Sequence, residues 1–163
     1  MVKKAIIVIL LAFVAWGLYL YLQSDERKVR KRFSKLSELV SKEGGESAVV
    51  LAQKARNTGA LFYSTCTIES GDSMRSGTYK PEEIASHTAS ARAMFQELSL
   101  EFYDLKVDFP SGDTARAGLT GILKGLTKSD ELFDETHELE VDLTKVENDW
   151  FISRIKAVQT LER

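Results

Sequence analysis

Cys66 is the only cysteine in the chain, and His87 and His137 are the only histidines. A lone cysteine excludes a disulfide framework within one chain, and without a Cys/His cluster there is no structural zinc site. No motif asks for a metal or a cofactor. An excess of one charge is also lacking: 22 basic and 24 acidic residues leave a formal net charge of −2. That balance disfavours bulk nucleic-acid binding. What is present suits one compact domain, with 163 residues that are 44% hydrophobic and 28% charged.

Charge is missing altogether from one stretch. Ala5 to Leu22 reads AIIVILLAFVAWGLYLYL. At about 1.5 Å per residue it reaches roughly 27 Å, close to the hydrocarbon thickness of a bilayer. Trp16, Tyr19 and Tyr21 lie in its second half, where amphipathic rings favour the membrane interface. A cleaved signal peptide would end in a small-residue site, whereas this run passes straight into Gln23-Ser24-Asp25-Glu26. A buried core helix would show a polar side. Residues 1–23 are therefore expected to form an uncleaved transmembrane anchor, and residues 24–163 a soluble domain.

Two basic groups flank the anchor and pull its orientation in opposite directions. Lys3 and Lys4 favour a cytoplasmic N-terminus; Arg27, Lys28, Arg30, Lys31, Arg32 and Lys35 favour the reverse. A short Lys-Lys start before an apolar run resembles bacterial signal anchors. The expectation is a single-pass protein of the inner membrane with a periplasmic domain. Arg27, Lys28 and Lys31 are expected to lie against anionic lipid at about 1 kcal/mol per charge. A nucleic-acid role would need stacking aromatics among these charges, and only Phe33 is there.

Beyond the anchor, helices precede sheet. Ser24 is a plausible N-cap, and Val29, Phe33, Leu36 and Val40 form one helical stripe ended by Gly44-Gly45. A second helix runs from about Ser47 to Arg56 with Ala48, Leu51, Ala52 and Ala55 inward, and Asn57-Thr58-Gly59 stops it. Its small residues predict close packing against another helix. Residues 60–79 read as mostly irregular, with a brief strand at Cys66-Thr67-Ile68 and loops at Gly71-Asp72 and Ser76-Gly77. A third helix starts at Pro81, with Glu82 and Glu83 near the positive end of its dipole. Its stripe is Ile84, Ala91, Phe95 and Leu98, flanked by His87 and Met94.

The period then changes from helical to alternating. Leu100 and Phe102 share one parity, and Leu105, Val107 and Phe109 share the other. A parity switch at Tyr103-Asp104 is what a β-bulge produces. Pro110-Ser111-Gly112-Asp113 turns into a strand from about Thr114 to Lys124, with Ala115, Ala117 and Leu119 inward. A third strand, about Phe133 to Lys145, turns His137, Leu139, Val141 and Leu143 inward and Glu138, Glu140 and Asp142 outward. The last runs from Trp150-x-Ile152 towards Leu161. Strands this long must twist and bend, and helices can cover the concave face. Gly118, Gly121 and Gly125 lack the G-K-[ST] ending of a phosphate loop, so they mark bulges or close backbone approach. Cys66, between Thr65 and Thr67, reads as a buried inert thiol.

The Leu61-Phe62-Tyr63 to Glu69 stretch, the Gly77 to Ile84 entry to helix three, and the Leu139-x-Val141-x-Leu143 to Trp150-x-Ile152 hairpin carry a resemblance. From about Asp25 to Leu161 the chain resembles the nuclear transport factor 2-like (NTF2-like, cystatin-like or SnoaL-like) superfamily. The resemblance implies an α+β cone of three helices packed on a strongly curved antiparallel sheet, here preceded by one transmembrane helix. The superfamily includes steroid isomerases, polyketide cyclases and dehydratases beside non-catalytic binding domains. Matching the isomerase pattern puts Ser70 where the base should be and Phe33 where a Tyr should be, so that activity is not expected.

No catalytic residues are therefore assigned. The expected ligand pocket at the cone's mouth comprises His87, Met94, Tyr103, Asp104 and His137, with the two histidines and Asp104 as a hypothetical acid/base cluster. The expected function is a membrane-anchored, non-catalytic domain that binds a small apolar ligand or a protein partner in the cell envelope. The alternatives are a small isomerase, cyclase or dehydratase-type enzyme, and a scaffold subunit of an envelope assembly. A homodimer through the sheet face would go with an apolar patch there.

Overall fold

In a computed structural model, residues 2–70 and 76–158 are described. The expected Gly71-Asp72 loop and the end of the last strand towards Leu161 lie outside the described residues. The elements are α1 (Val2–Val40), α2 (Ala48–Gly59), β1 (Phe62–Glu69), β2 (Gly77–Tyr79), α3 (Pro81–Met94), β3 (Phe95–Ser111), β4 (Thr114–Thr127), β5 (Leu132–Val146) and β6 (Asp149–Val158). One six-stranded sheet has the order β2-β1-β6-β5-β4-β3. All neighbours are antiparallel except β1 and β6.

The apolar stretch and the first domain helix are one element. α1 runs for 39 residues without a break, so Ser24 lies inside it and caps nothing. From Ile6 to Tyr21 every residue is exposed, Phe13 at 74%, and at the end of this stretch Tyr21 meets Lys145 of β5. By length and composition this helix can cross a membrane. Past Asp25 the same helix turns Val29, Phe33, Leu36 and Leu39 into the core. It ends at Val40, before Gly44-Gly45, because Lys42 leaves the helix to pair with Leu98 of β3 through both backbone groups, at 2.7 and 3.0 Å.

α2 is capped by Ser47, whose side chain accepts from the Val50 N–H. Its buried face is Ala55, Thr58 and Gly59, while Ala48 and Ala52 are exposed, contrary to the expected stripe. The helix continues through Asn57-Thr58-Gly59 because its last turn is pressed on α3. A Cβ at Gly59 would lie 2.3 Å from the Pro81 carbonyl oxygen, so the expected close helix contact is present there. Two strands occupy much of the region expected to be irregular, since β1 pairs with β6 and β2 pairs with β1.

α3 begins at Pro81, with the Glu83 side chain accepting from the Lys80 N–H at 2.8 Å. It stops at Met94, earlier than the expected stripe. Phe95 and Leu98 belong to β3, where Phe95 pairs with Thr127 and Leu98 with Gly125. Ala91 is exposed and Arg92, which has no place in an apolar stripe, is buried.

The four long strands form the expected meander. The register of β3 on β4 slips between Tyr103 and Lys106, and Asp104 has φ 55° in the left-handed region, so the bulge sits where the parity switch placed it. Ala115, Ala117, Leu119, Val141, Leu143, Trp150 and Ile152 fill the concave face against α1. At Gly125 a Cβ would meet the Phe95 ring at 2.7 Å, which makes it a close-approach glycine. The result is an α+β cone: α1 lies along the concave face of a curved sheet, and α2 and α3 close one end.

Candidate ligand-binding site

α1 is fastened to the sheet at both ends of its buried half. Near the apolar stretch, Lys145 of β5 donates to the Tyr21 hydroxyl at 2.8 Å and to both Asp25 carboxylate oxygens at 3.0 and 3.1 Å. The Trp150 indole donates to the same carboxylate at 3.2 Å. Asp25 and Lys145 are almost wholly covered, and each is satisfied by the other, as a buried pair requires. The Tyr21 hydrogen bond, with Asp25 outweighing the cost of burial, holds the Lys145 ammonium above its ordinary pKa. One turn on, Lys28 donates to the Asn148 side chain at 2.8 Å and its carbonyl at 3.1 Å.

At the other end, Arg92 of α3 is the fastener. Its side chain is 0% exposed. Nη1 lies 2.6 Å from each of the carbonyl oxygens of Leu39, Val40 and Ser41. These are acceptors that the end of α1 leaves without intrahelical donors, and a cation there also meets the negative end of the helix dipole. Nη2 donates to Glu46, which also pairs with Lys54 at 2.9 Å. Burial works against the Glu46 charge, but the hydrogen bonds from Lys54 and Arg92 outweigh it and hold the carboxyl below its ordinary pKa. Nε of Arg92 is buried without a hydrogen-bond partner.

Between this junction and the sheet lies a cavity of about 560 Å³. Val40, Ile68, Ile84, Ala91, Phe95, Leu98 and Leu123 give it an apolar wall, and Tyr79, His87, Thr88 and Arg92 supply its polar character. The His87 ring meets Tyr79 edge-on, with centroids 5.6 Å apart. Among the described residues no carboxylate lines this cavity. A mainly apolar concavity with a few convergent polar groups suits a small molecule. A depression of about 670 Å³ is lined by the charged side chains of Lys42, Glu43, Glu97 and Lys124 together with Leu98, Leu126 and Leu132.

Of the five residues expected to share a pocket, His87 alone lines the cavity. Met94 is 65% exposed at the end of α3 and is not among the lining residues, although Arg92 and Phe95 on either side of it are. Tyr103 donates to Glu101 from an exposed position, and Asp104 sits on the bulge. Both border a separate groove beside Arg30, Phe33 and Ser37 of α1. His137 keeps the parity of Leu139 but is exposed, 3.2 Å from Glu135, one residue beyond the last described pairing of β5 with β6 at Glu138 and Val158. The expected cluster of two histidines with Asp104 is not assembled. Arg92 was missed because a basic residue beside an apolar stripe reads as a flank. Its spacing of eight from Ile84 was the available signal.

The expected basic patch also divides. Arg27 and Lys31 are exposed, whereas Lys28 is committed to Asn148. The outer face of the sheet carries a charge ladder instead of an apolar patch. Arg154 reaches Asp142 and Glu140, both at 2.8 Å, and Arg116 reaches Asp142 at 3.0 Å. Asp142 is held below its ordinary pKa because hydrogen bonds from Arg154 and Arg116 outweigh its burial. Cys66 is buried in the core, and burial pushes its thiol up to about 11. Among the described residues no group of three His, Cys, Asp or Glu could hold a metal ion.

This architecture is the NTF2-like, or cystatin-like, cone. An NTF2-like protein with a cystatin-like fold from Novosphingobium aromaticivorans superposes with a TM-score of 0.68 at 13% identity, covering 90% of this chain and 89% of that one. A candidate scytalone dehydratase from the same species gives 0.65 at 14% identity, with 85% and 86% covered. A type 2 hexachlorocyclohexane dehydrochlorinase (LinA) gives 0.67 at 14% identity, with 85% and 87% covered. At these identities the likeness is one of fold. No family model and no curated protein matches the sequence.

Proposed function

We propose that this chain is a membrane-anchored NTF2-like domain that binds a small molecule in the cavity between α3 and the sheet. The observation that carries the reading is the cavity itself: an apolar wall drawn from α1, β1, α3, β3 and β4 with His87 and Thr88 at its edge. Catalysis is the second reading, and it draws on the dehydratase and dehydrochlorinase names among the similar structures. It would rest on His87 as general base. Such a base normally needs an orienting carboxylate, which the lining does not supply among the described residues. Binding without turnover is therefore preferred. Assembly through the outer sheet face is disfavoured by its ladder of ion pairs.

The anchor half of the proposal is supported by α1, whose apolar residues from Ile6 to Leu20 are all exposed in the protein. An exported domain fits the Lys3-Lys4 start. It also fits the pairing of the basic side of α1 within the domain, Arg30 with Glu26 and Lys35 with Glu38. Arg27 falls about 8 Å beyond Leu22 along the helix, within the headgroup layer, and is the residue proposed to meet anionic lipid.

The test of binding is fluorescence of 1-aminoanthracene, an apolar probe, with the full chain in detergent. The wild type is expected to brighten it saturably, and Ala91→Trp, which fills the cavity edge, to abolish the effect. Equal signal from Ala91→Trp would remove the cavity as the site. For topology, C-terminal alkaline phosphatase is expected to be active and C-terminal green fluorescent protein dark; the opposite pattern refutes export.

A further inference from the structure

We propose that the cavity fills from the aqueous phase, with a water-soluble molecule that has an apolar body and one hydrogen-bonding end, and not with bilayer lipid. This rests on the ligand-binding reading above and names the class of ligand.

The inference follows from where the two ends of α1 lie. The apolar stretch ends at Leu22, and Val40, at the far end of the same unbroken helix, is part of the cavity wall. Eighteen residues at about 1.5 Å each separate them by roughly 27 Å. Transmembrane helices tilt by about 0–40°, and the steepest of these still leaves roughly 20 Å of height. The headgroup layer takes up only about 5–8 Å of that. The cavity therefore stands clear of the lipid, with water between.

The domain cannot swing down to close the gap. No linker separates anchor from domain. Just beyond Leu22, the Asp25–Lys145 pair, the Trp150 indole and the Lys28–Asn148 contact hold β5 and β6 on the helix. At the far end, Arg92 ties α3 to the last carbonyls of α1. The cavity wall thus moves only with the membrane helix. A lipid would have to leave the bilayer and cross water to reach it.

The lining agrees with a small soluble ligand. A volume of about 560 Å³ lies in the range that holds a drug-sized molecule. Ile84, Phe95 and Leu98 supply the apolar wall, and His87 with Thr88 offers hydrogen-bonding groups at one side.

The test uses the full chain in vesicles of phosphatidylcholine and phosphatidylglycerol. Ala91→Cys places a thiol on the cavity edge, and native Cys66, buried with its thiol pKa raised, does not compete for labelling. In one preparation the thiol carries bimane. Aqueous iodide is expected to quench it, and headgroup spin-labelled lipid is not. In a second preparation the thiol is free, and 2-naphthoate is expected to slow its alkylation several-fold, with no effect of lipid content. Quenching by spin-labelled lipid, or protection that grows with lipid content, overturns aqueous access while leaving a ligand site standing. Iodide quenching with no protection by either 2-naphthoate or lipid removes the ligand site itself, and this inference with it.

Discussion

Replacing Arg92 by Met tests how the cavity wall is held. The substitution keeps a long apolar stem and removes the guanidinium. It leaves the Leu39, Val40 and Ser41 carbonyls without that donor and deprives Glu46 of one of its two cations. Breaking a buried ion pair from one side costs about 3–5 kcal/mol, because the remaining charge stays buried. Lys54 still faces Glu46, and Arg92 Nε gains no hydrogen bond in the native protein, so the lower end applies. A loss of about 3 kcal/mol corresponds to a fall of roughly 6–12 °C in Tm for a domain of this size. The assay is thermal denaturation of the full chain in detergent, with hydrogen exchange at the α1 terminus as the local readout. Exchange is expected to rise at residues 39–43, whose backbone this contact fixes, more than in β4. Adding Glu46→Gln should recover part of the loss, since it removes the orphaned charge. A fall of under about 2 °C, equivalent to less than roughly 0.5–1 kcal/mol, would refute the fastening role.

Asp25→Ala strips the acceptor from both Lys145 and the Trp150 indole and is expected to cost about 3 kcal/mol, read as a Tm loss that Lys145→Met partly reverses. Gly59→Ala drives a methyl against the Pro81 carbonyl, a backbone atom that cannot rotate away, and should cost about 1–3 kcal/mol by the same assay. Glu46 and Asp142 have folded pKa values below their ordinary 4.5 and 3.8, so their contribution is complete above those values and is lost as pH falls through the lower folded ones. Tm should accordingly drop on acidification below about pH 4.5, and Glu46→Gln should flatten the slope; an unchanged slope counts against the pairing. Cys66 should resist alkylation at about pH 7.5 until denaturant is added, and ready labelling of the native chain would contradict its burial.

Much of the fold could be read from residue order because its signals are local. Alternation in β3 to β6 fixes which side chains face inward, and the parity break at Tyr103-Asp104 marks the bulge directly. β1 and β2 were less legible because their partners are distant: β1 pairs in parallel with β6, some 85–90 residues on. The site was less legible still. His87 borders the cavity between α3 and the sheet, whereas His137 is exposed at the stretch of β5 that runs past its described pairing with β6. Parity puts both on plausible faces, yet only the lateral extent of the layers decides which face is covered.

The boundary at Ser24 shows why the apolar stretch and the first helix of the cone looked like two elements. Ser before an apolar stripe is a start signal because the first turn of a helix has donors without acceptors. That reasoning assumes the helix begins there. When another helix already runs into the stripe, its carbonyls accept those N–H groups and the serine has nothing to cap. Asp25 points the same way. A carboxylate at a helix start is ordinary, but this one is buried against Lys145 and Trp150 in mid-helix. The helix continues backwards from it and carries Tyr21 onto the same lysine. The residues that resemble a boundary are therefore the joint that makes the apolar helix and the cone one rigid body.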